Sequence, residues 1–307
     1  MTAPASVGTP SGSIYDLGYR GYEGPRLGRA HAIRSLFSHS LRSAYGIGRG
    51  ARAKIAPLVL GAMAVVPAVA FVGVLAMAAR LGEGTGELIE QGSPFGYETY
   101  FGTMGTFVVL FCAAQAPELF GRDQRHGVLS LYFARALRRS DYALARIAGF
   151  VAALLVLQLF PQAVLFFGRV LLAPDVAGAI SDDLPVVPPI VLQGLLSSLL
   201  LGGLSMAISA FTPRRAYATA GIIALFVIPN IVASVVAGIG STDIGNVLFL
   251  ASPTSVLDGT NAVLFNTDLA SEFFFIDLPD WSYFAAATAG IVGSIAITLR
   301  RFAGITA

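Results

Sequence analysis

The stretch Ile147–Leu172, IAGFVAALLVLQLFPQAVLFFGRVLL, holds a single ionisable residue, Arg169, in 26 positions. A run this long and this apolar exceeds the roughly 20 residues that an α-helix needs to cross a hydrocarbon core of about 30 Å. No water reaches the backbone at that depth, so the segment must satisfy its own N–H and C=O groups as a helix. Five more apolar spans read the same way, at 56–79, 100–117, 188–211, 218–238 and 283–302. Two are marginal: 100–117 is short and carries Thr103, Thr106 and Gln115, and 188–211 opens on Pro188-Pro189. A mean hydropathy of +0.72 with 12% charged residues would leave a soluble domain short of polar surface. Six spans in 307 residues leave no room for a large soluble domain. The expected fold is all-α, a polytopic membrane protein with six transmembrane helices. The first 55 residues lack a signal-peptide core followed by a cleavage site, so the first span is expected to be retained.

Charge orients the spans. Numbering the intervening segments alternately, starting inside, places eighteen of the twenty basic residues on the inner side. Eight run from Arg20 to Lys54, six lie between Arg122 and Arg146, and Arg214, Arg215, Arg300 and Arg301 complete the set. Only Arg80 and Arg169 fall at outer ends, whereas thirteen of eighteen acids are outside, beginning at Glu83. Positive charge collects in cytoplasmic segments, so both termini are expected in the cytoplasm. The net charge of +2 thus hides a strong asymmetry, which sets topology or, alternatively, forms a cation-attracting outer vestibule. The lone Cys112 lies in the second span, cannot pair within the chain, and reads as a packing residue.

Along the chain, residues 1–29 form a polar tail, and Met1 to Ser13 has the composition of a disordered segment. Within 30–55, Ile33, Phe37, Leu41, Ala44 and Gly48 recur at helical spacing while Arg34, His39, Arg42, Arg49 and Arg52 take other faces. That pattern predicts an amphipathic helix lying in the membrane interface, or a solvated helix packed on a partner. Residues 56–307 make up the six-helix domain. In the fourth span Gly194, Ser198 and Gly202 form a small-residue stripe that admits a close helix neighbour. Thr212-Pro213-Arg214-Arg215 reads as a tight inner turn. The outer segment 239–282 has six acids and no Lys or Arg, yet contains apolar runs at Val247–Leu250, Val263–Phe265 and Phe273–Ile276. Ser252-Pro253 is a helix start, and Trp281 and Tyr283 are placed as interface anchors. The segment is read as short re-entrant helices dipping into the outer leaflet or lying on it.

Between the second and third spans, 118–146 is the longest inner connection. Val128, Leu131 and Tyr132 give it an apolar stripe, Gly121 and Gly127 punctuate it, and Ser140 is a candidate N-cap with Asp141 near the positive helix end. Leu129, Tyr132 and Phe133 ringed by Asp123, Arg125, Arg138, Arg139 and Asp141 have the make-up of a docking site. Catalytic patterns are missing. There is no phosphate-cradling Gly-x-x-x-x-Gly-Lys-Ser/Thr, and the only lysine is Lys54. His31, His39 and His126 share no metal-ligand spacing, and no Gly-x-Ser-x-Gly is present. Arg169 reads as a snorkelling residue or as part of a substrate path. The chain offers a membrane path without an energy source, so it is expected not to be an enzyme and to hold no cofactor itself.

Pro117-Glu118-Leu119, then Asp123-x-Arg125-x-Gly127-Val128-Leu129 and Arg139-Ser140-Asp141-Tyr142, resemble the first cytoplasmic loop of ABC-2-type transporter permeases. The opening Asp16-Leu17-Gly18-Tyr19-Arg20, Tyr22-Glu23-Gly24-Pro25-Arg26 and Leu27-Gly28-Arg29 resembles actinobacterial permeases of this kind. The resemblance covers the whole chain and departs from the family only in the short second span with Gln115 and Pro117. It implies that the loop is a coupling helix docked on a separate ATPase subunit, with Glu118, Asp123, Arg125, Gly127, Leu129, Tyr132, Arg139 and Asp141 as coupling residues. It further implies two ATPase subunits holding ATP and Mg, a second permease chain, identical or homologous, and residence in a bacterial cytoplasmic membrane. No nucleic-acid partner is implied. Export of a hydrophobic or amphipathic substrate is the function expected, although Phe273–Phe275 would read equally as lipid-facing. The alternatives are a non-transporting regulatory or scaffold subunit and a secondary transporter; the latter would need ionisable groups at mid-membrane.

Overall fold

The long apolar runs and the absence of β-patterned segments resolve into helices. The computed structural model describes Gly24 and residues 27–81, 96–134, 137–239, 242–267 and 278–304, and among these there is no strand. The helices are α1 (Gly28–Ala44), α2 (Ala51–Leu81), α3 (Tyr97–Arg125), α4 (Leu129–Phe133), α5 (Arg139–Leu172) and α6 (Val176–Asp183). A 3-10 turn at Leu184–Val186 leads into α7 (Val187–Phe211), followed by α8 (Arg215–Gly238), α9 (Thr242–Phe249), α10 (Pro253–Phe265) and α11 (Asp280–Ala303). Six of them are long and apolar enough to cross a membrane: α2, α3, α5, α6 continuing into α7, α8 and α11. The chain is an all-α polytopic membrane protein. Met1–Ser13, the opening motif before Leu27 apart from Gly24, the acids Glu83 to Glu90 and Phe273–Phe275 lie outside the described residues.

The third span is the axis of the bundle: α5 packs against α1, α2, α3, α7 and α11. Burial explains why the second span is marginal in sequence. In its most apolar stretch α3 is 61% buried inside the protein, against 22% for α2 and 17% for α8. A helix enclosed by other helices has little lipid contact to satisfy, so a hydropathy of only 1.3 suffices for α3, where α2 has 2.6. Its polar groups bond inward: Tyr100 donates to the Ala64 carbonyl, and Gln162 of α5 donates to the Tyr97 carbonyl at 3.1 Å. The span does not stop at residue 117. Pro117 lies inside α3, which runs on to Arg125, so two further turns belong to the helix and the true connection to α5 is short. Membrane helices tolerate such a proline where neighbours supply alternative partners.

The amphipathic segment is likewise redrawn. Its helix ends at Ala44, not near residue 55, because Gly46 and Gly48 adopt φ of +69° and +83°. Gly46 has no alternative: a Cβ there would lie 2.6 Å from the Ala53 carbonyl oxygen. The chain turns over 45–50 and the first span begins at Ala51. Leu36, Ser40, Ser43 and Ala44 are the buried face of α1, and the helix lies close on α5, where a Cβ on Gly149 would meet the Phe37 carbonyl at 2.8 Å. Tyr45 closes the turn by donating to the Ala153 carbonyl at 2.7 Å.

The small-residue stripe of α7 serves this same internal packing. Ideal Cβ atoms on Gly194 and Gly202 would each sit 2.9 Å from leucines of α5, Leu159 and Leu154, and Ser198 accepts from Gln158 at 2.9 Å. The tight turn at 212–214 joins α7 to α8 as expected. In the outer segment Ser252 caps α10, accepting from the Ser255 N–H at 3.4 Å, with Pro253 at the first helical position. This helix is pinned to α7 by Gln193, which donates to the Leu257 carbonyl at 2.8 Å and accepts from Thr260 at 3.0 Å. Asn261 reaches the Glu98 carbonyl of α3 at 2.9 Å. Trp281 is 70% exposed, as an interface anchor should be, but Tyr283 is 2% exposed and packs over Gly259 instead. Arg169 does not snorkel freely: it pairs with Asp183 at 3.2 Å and lies 5.0 Å over the ring of Tyr97, whose hydroxyl donates to Asp183 at 3.1 Å.

Candidate functional site

The helix ends opposite that Arg169–Asp183 pair gather the basic residues into one built surface. Glu118, on the last turns of α3, bridges Arg49 of the 45–50 turn at 3.1 Å and Arg215 at the start of α8 at 3.2 Å. Gln124 donates to the Ala210 carbonyl of α7 at 3.1 Å, and Arg139 to the Ala303 carbonyl of α11 at 2.9 Å. Arg29 of α1 grips Asp141 with both nitrogens at 2.6 and 2.7 Å, and that contact raises the pKa of the guanidinium. The described helix ends on this side are therefore tied to one another. The N-cap of α5 is Arg138 rather than Ser140, and Asp141 takes the Arg138 backbone N–H at 3.0 Å, near the positive helix end as expected.

Beneath the connection lies a buried network. Asp123 pairs with Arg146 of α5 and accepts from the Tyr142 hydroxyl at 2.6 Å. Arg146, 2% exposed, lies 5.6 Å over the ring of Tyr142 and 6.0 Å over that of Tyr132. The Tyr142 ring in turn touches Phe120, Tyr132, Phe133 and Phe302, with centroids 5.3 to 5.9 Å away. Gly127, at φ +63°, turns the chain into α4, a single helical turn laid on this aromatic floor.

The eight residues singled out in the sequence divide accordingly. Asp123 and Asp141 are buried, and Glu118 and Arg139 are engaged with the chain's own helices. Leu129 and Tyr132 are half-buried against the core, as is Phe133. Arg125 and Gly127 are exposed. The apolar group presented outward is Leu131, 68% exposed at the crest of α4. The reason is the one-turn geometry: with the aromatic floor claiming Leu129, Tyr132 and Phe133, the position between them must point away. Sequence periodicity had too few residues here to choose the face.

A groove of about 1550 Å³ opens beside α4, walled by α1, the 45–50 turn, the first turns of α2 and the end of α3. Six arginines line it, Arg42, Arg49, Arg52, Arg122, Arg146 and Arg215, against two carboxylates, Glu118 and Asp123. The excess positive charge acts on the groups within it. His39 has its pKa lowered by burial first and then by Arg146, Arg49 and Arg122, with Asp123 opposing. Arg49 is pushed down by burial, partly offset by Glu118. Sequence reading located the charges but not their convergence, which depends on the turn at 45–50 folding the Arg49–Arg52 segment toward α3. Among the described residues no group of three or more His, Cys, Asp or Glu could hold a metal. The chain matches no protein-family model and no curated protein.

Proposed function

We propose that this chain is the membrane-spanning permease subunit of an ATP-driven exporter, resembling the ABC-2 type, and that a separate ATPase subunit docks on the basic end of the bundle. The observation that carries this reading is α4: one exposed turn crested by Leu131, braced through Tyr132, Tyr142 and the Asp123–Arg146 pair onto the central span. A docking contact that must deliver force needs an apolar group on its surface and a stiff attachment behind it. In this reading the basic end faces the cytoplasm of a bacterial cell, following the positive-inside rule. In this reading the chain itself hydrolyses no ATP; ATP and Mg belong to the partner ATPase, present in two copies. A second permease chain completes the path, and a hydrophobic or amphipathic substrate is moved outward.

Co-purification with the candidate ATPase tests this. Leu131→Asp, at an exposed position where folding does not depend on the side chain, is expected to release the ATPase or to uncouple its hydrolysis from transport. Unchanged retention together with unchanged transport refutes the docking role. ATPase activity from the purified chain without a partner band refutes the division of labour.

A further inference from the structure

The groove beside α4 holds more guanidinium donors than its own acceptors can engage. Glu118 is shared by Arg49 and Arg215, and Asp123 is taken by Arg146 and Tyr142. Arg42, Arg52 and Arg122 line the same groove and make no hydrogen bond or ion pair among the described residues. Even the engaged arginines are incompletely satisfied: the buried Nε–H groups of Arg49 and Arg146 find no acceptor. Like charges gathered in one groove with too few carboxylates between them favour an anionic acceptor supplied from outside. The volume of about 1550 Å³ exceeds the roughly 300–1,000 Å³ typical of a small-molecule pocket. Its wall includes Ala53 and Ala56 of the first span, whose neighbours Ile55, Leu58 and Val59 are 50–60% exposed on the lipid-facing side of α2.

We propose that this groove binds a phosphate group through Arg42, Arg52 and Arg122, and that the phosphate is carried by the headgroup of an anionic membrane lipid. Phosphate suits the site because guanidinium forks bind its oxygens in pairs. The lipid source follows from position: a headgroup held at the start of α2 leaves its acyl chains beside the exposed Ile55, Leu58 and Val59. Basic pockets between helices at the cytoplasmic face are the general form of such sites. The inference stands on the groove alone and does not require the ATPase partner.

The test uses the purified full chain delipidated in a neutral detergent, with phosphatidylglycerol, phosphatidylcholine and glycerol 3-phosphate as probes. Binding is read by native mass spectrometry and by thermal stabilisation. The wild type is expected to retain phosphatidylglycerol over phosphatidylcholine. Arg42→Gln, Arg52→Gln and Arg122→Gln combined should weaken this about a hundredfold, since each basic residue near an anionic headgroup contributes about a factor of five. All three side chains are exposed and unbonded, so the variant should fold, as gel filtration verifies. The control Arg300→Gln/Arg301→Gln removes charge from the same end outside the groove and should bind as the wild type does. Stabilisation by glycerol 3-phosphate with no preference between the lipids would replace the lipid by a soluble phosphate compound. Equal loss in the control, or equal binding of both probes by wild type and triple variant, overturns the site.

Discussion

Removing either member of the buried Asp123–Arg146 pair should have a larger effect than other single truncations on the basic end. Asp123→Ala leaves Arg146 charged and 2% exposed, with Ser40 at 3.4 Å and Tyr132 at 3.5 Å as its residual hydrogen-bond acceptors, beside the Tyr142 ring. Stranding one member of a buried pair costs about 3–5 kcal/mol. The Tyr142 hydroxyl loses its acceptor as well, a loss of about 1–3 kcal/mol in isolation. Both effects pass through one carboxylate and do not add, so the expected total is about 3–5 kcal/mol. Arg146→Met alone should cost a similar amount by stranding Asp123. The double variant removes both charges and should be destabilised by less than either single change, giving a coupling of at least about 3 kcal/mol. Equilibrium unfolding in mixed micelles, followed by helical circular dichroism, provides the three values. Hydrogen exchange over residues 126–134 should accelerate in Asp123→Ala, because α4 rests on Tyr132 and Tyr142. A coupling below about 1 kcal/mol would mean that water entering the groove solvates Arg146, and the brace beneath α4 would then be refuted.

Gly149→Ala should lift α1 from α5, since the new Cβ meets Phe37 backbone at 2.8 Å and the Ser40 Cβ at 2.5 Å; a loss of about 1–3 kcal/mol is expected, and unchanged stability would show that α1 yields freely. Gln193→Leu removes both bonds that hold α10 to α7 and should cost about 1–3 kcal/mol. Faster hydrogen exchange confined to 253–265 checks it. The imidazole of His39 should titrate below the ordinary 6.5. Because the folded chain keeps it neutral to lower pH than the unfolded chain does, its contribution is complete above the unfolded value and is lost as pH falls through the folded one. Nuclear magnetic resonance on Arg49→Gln should find the midpoint moved upward, and no movement would exclude Arg49 as a cause.

Hydropathy was sufficient to locate all six spans, because a helix surrounded by lipid must be apolar along most of its surface. The errors cluster where that demand lapses. The end of α3 was misplaced because Glu118 and Asp123 look like loop residues until Arg49, Arg215 and Arg146 are seen around them. Tyr283 reads as an anchor in the sequence because nothing local reveals that Gly259 leaves room for its ring. Ser252-Pro253, whose capping chemistry is entirely local, was legible outright. The groove was the least legible feature, since its six arginines come from six elements: α1, the 45–50 turn, α2, α3, α5 and α8.

The length of α5 has a mechanical consequence. Its 34 residues span about 51 Å, well beyond a hydrocarbon core of about 30 Å. It is one lever joining the ground under α4 to the outer Arg169–Asp183 clasp, and a tilt of about 5° at one end would displace the other by about 4 Å. Pro161 interrupts it about 33 Å from its start, where the ring supplies no N–H for the Leu157 carbonyl. The helix nevertheless continues through Pro161 to Leu172, and the missing bond makes this the place along it where bending costs least. A bend at Pro161 would re-aim the segment carrying Arg169, and it would be resisted there by the Asp183 pair, the Tyr97 ring and the Gln162 bond to the Tyr97 carbonyl.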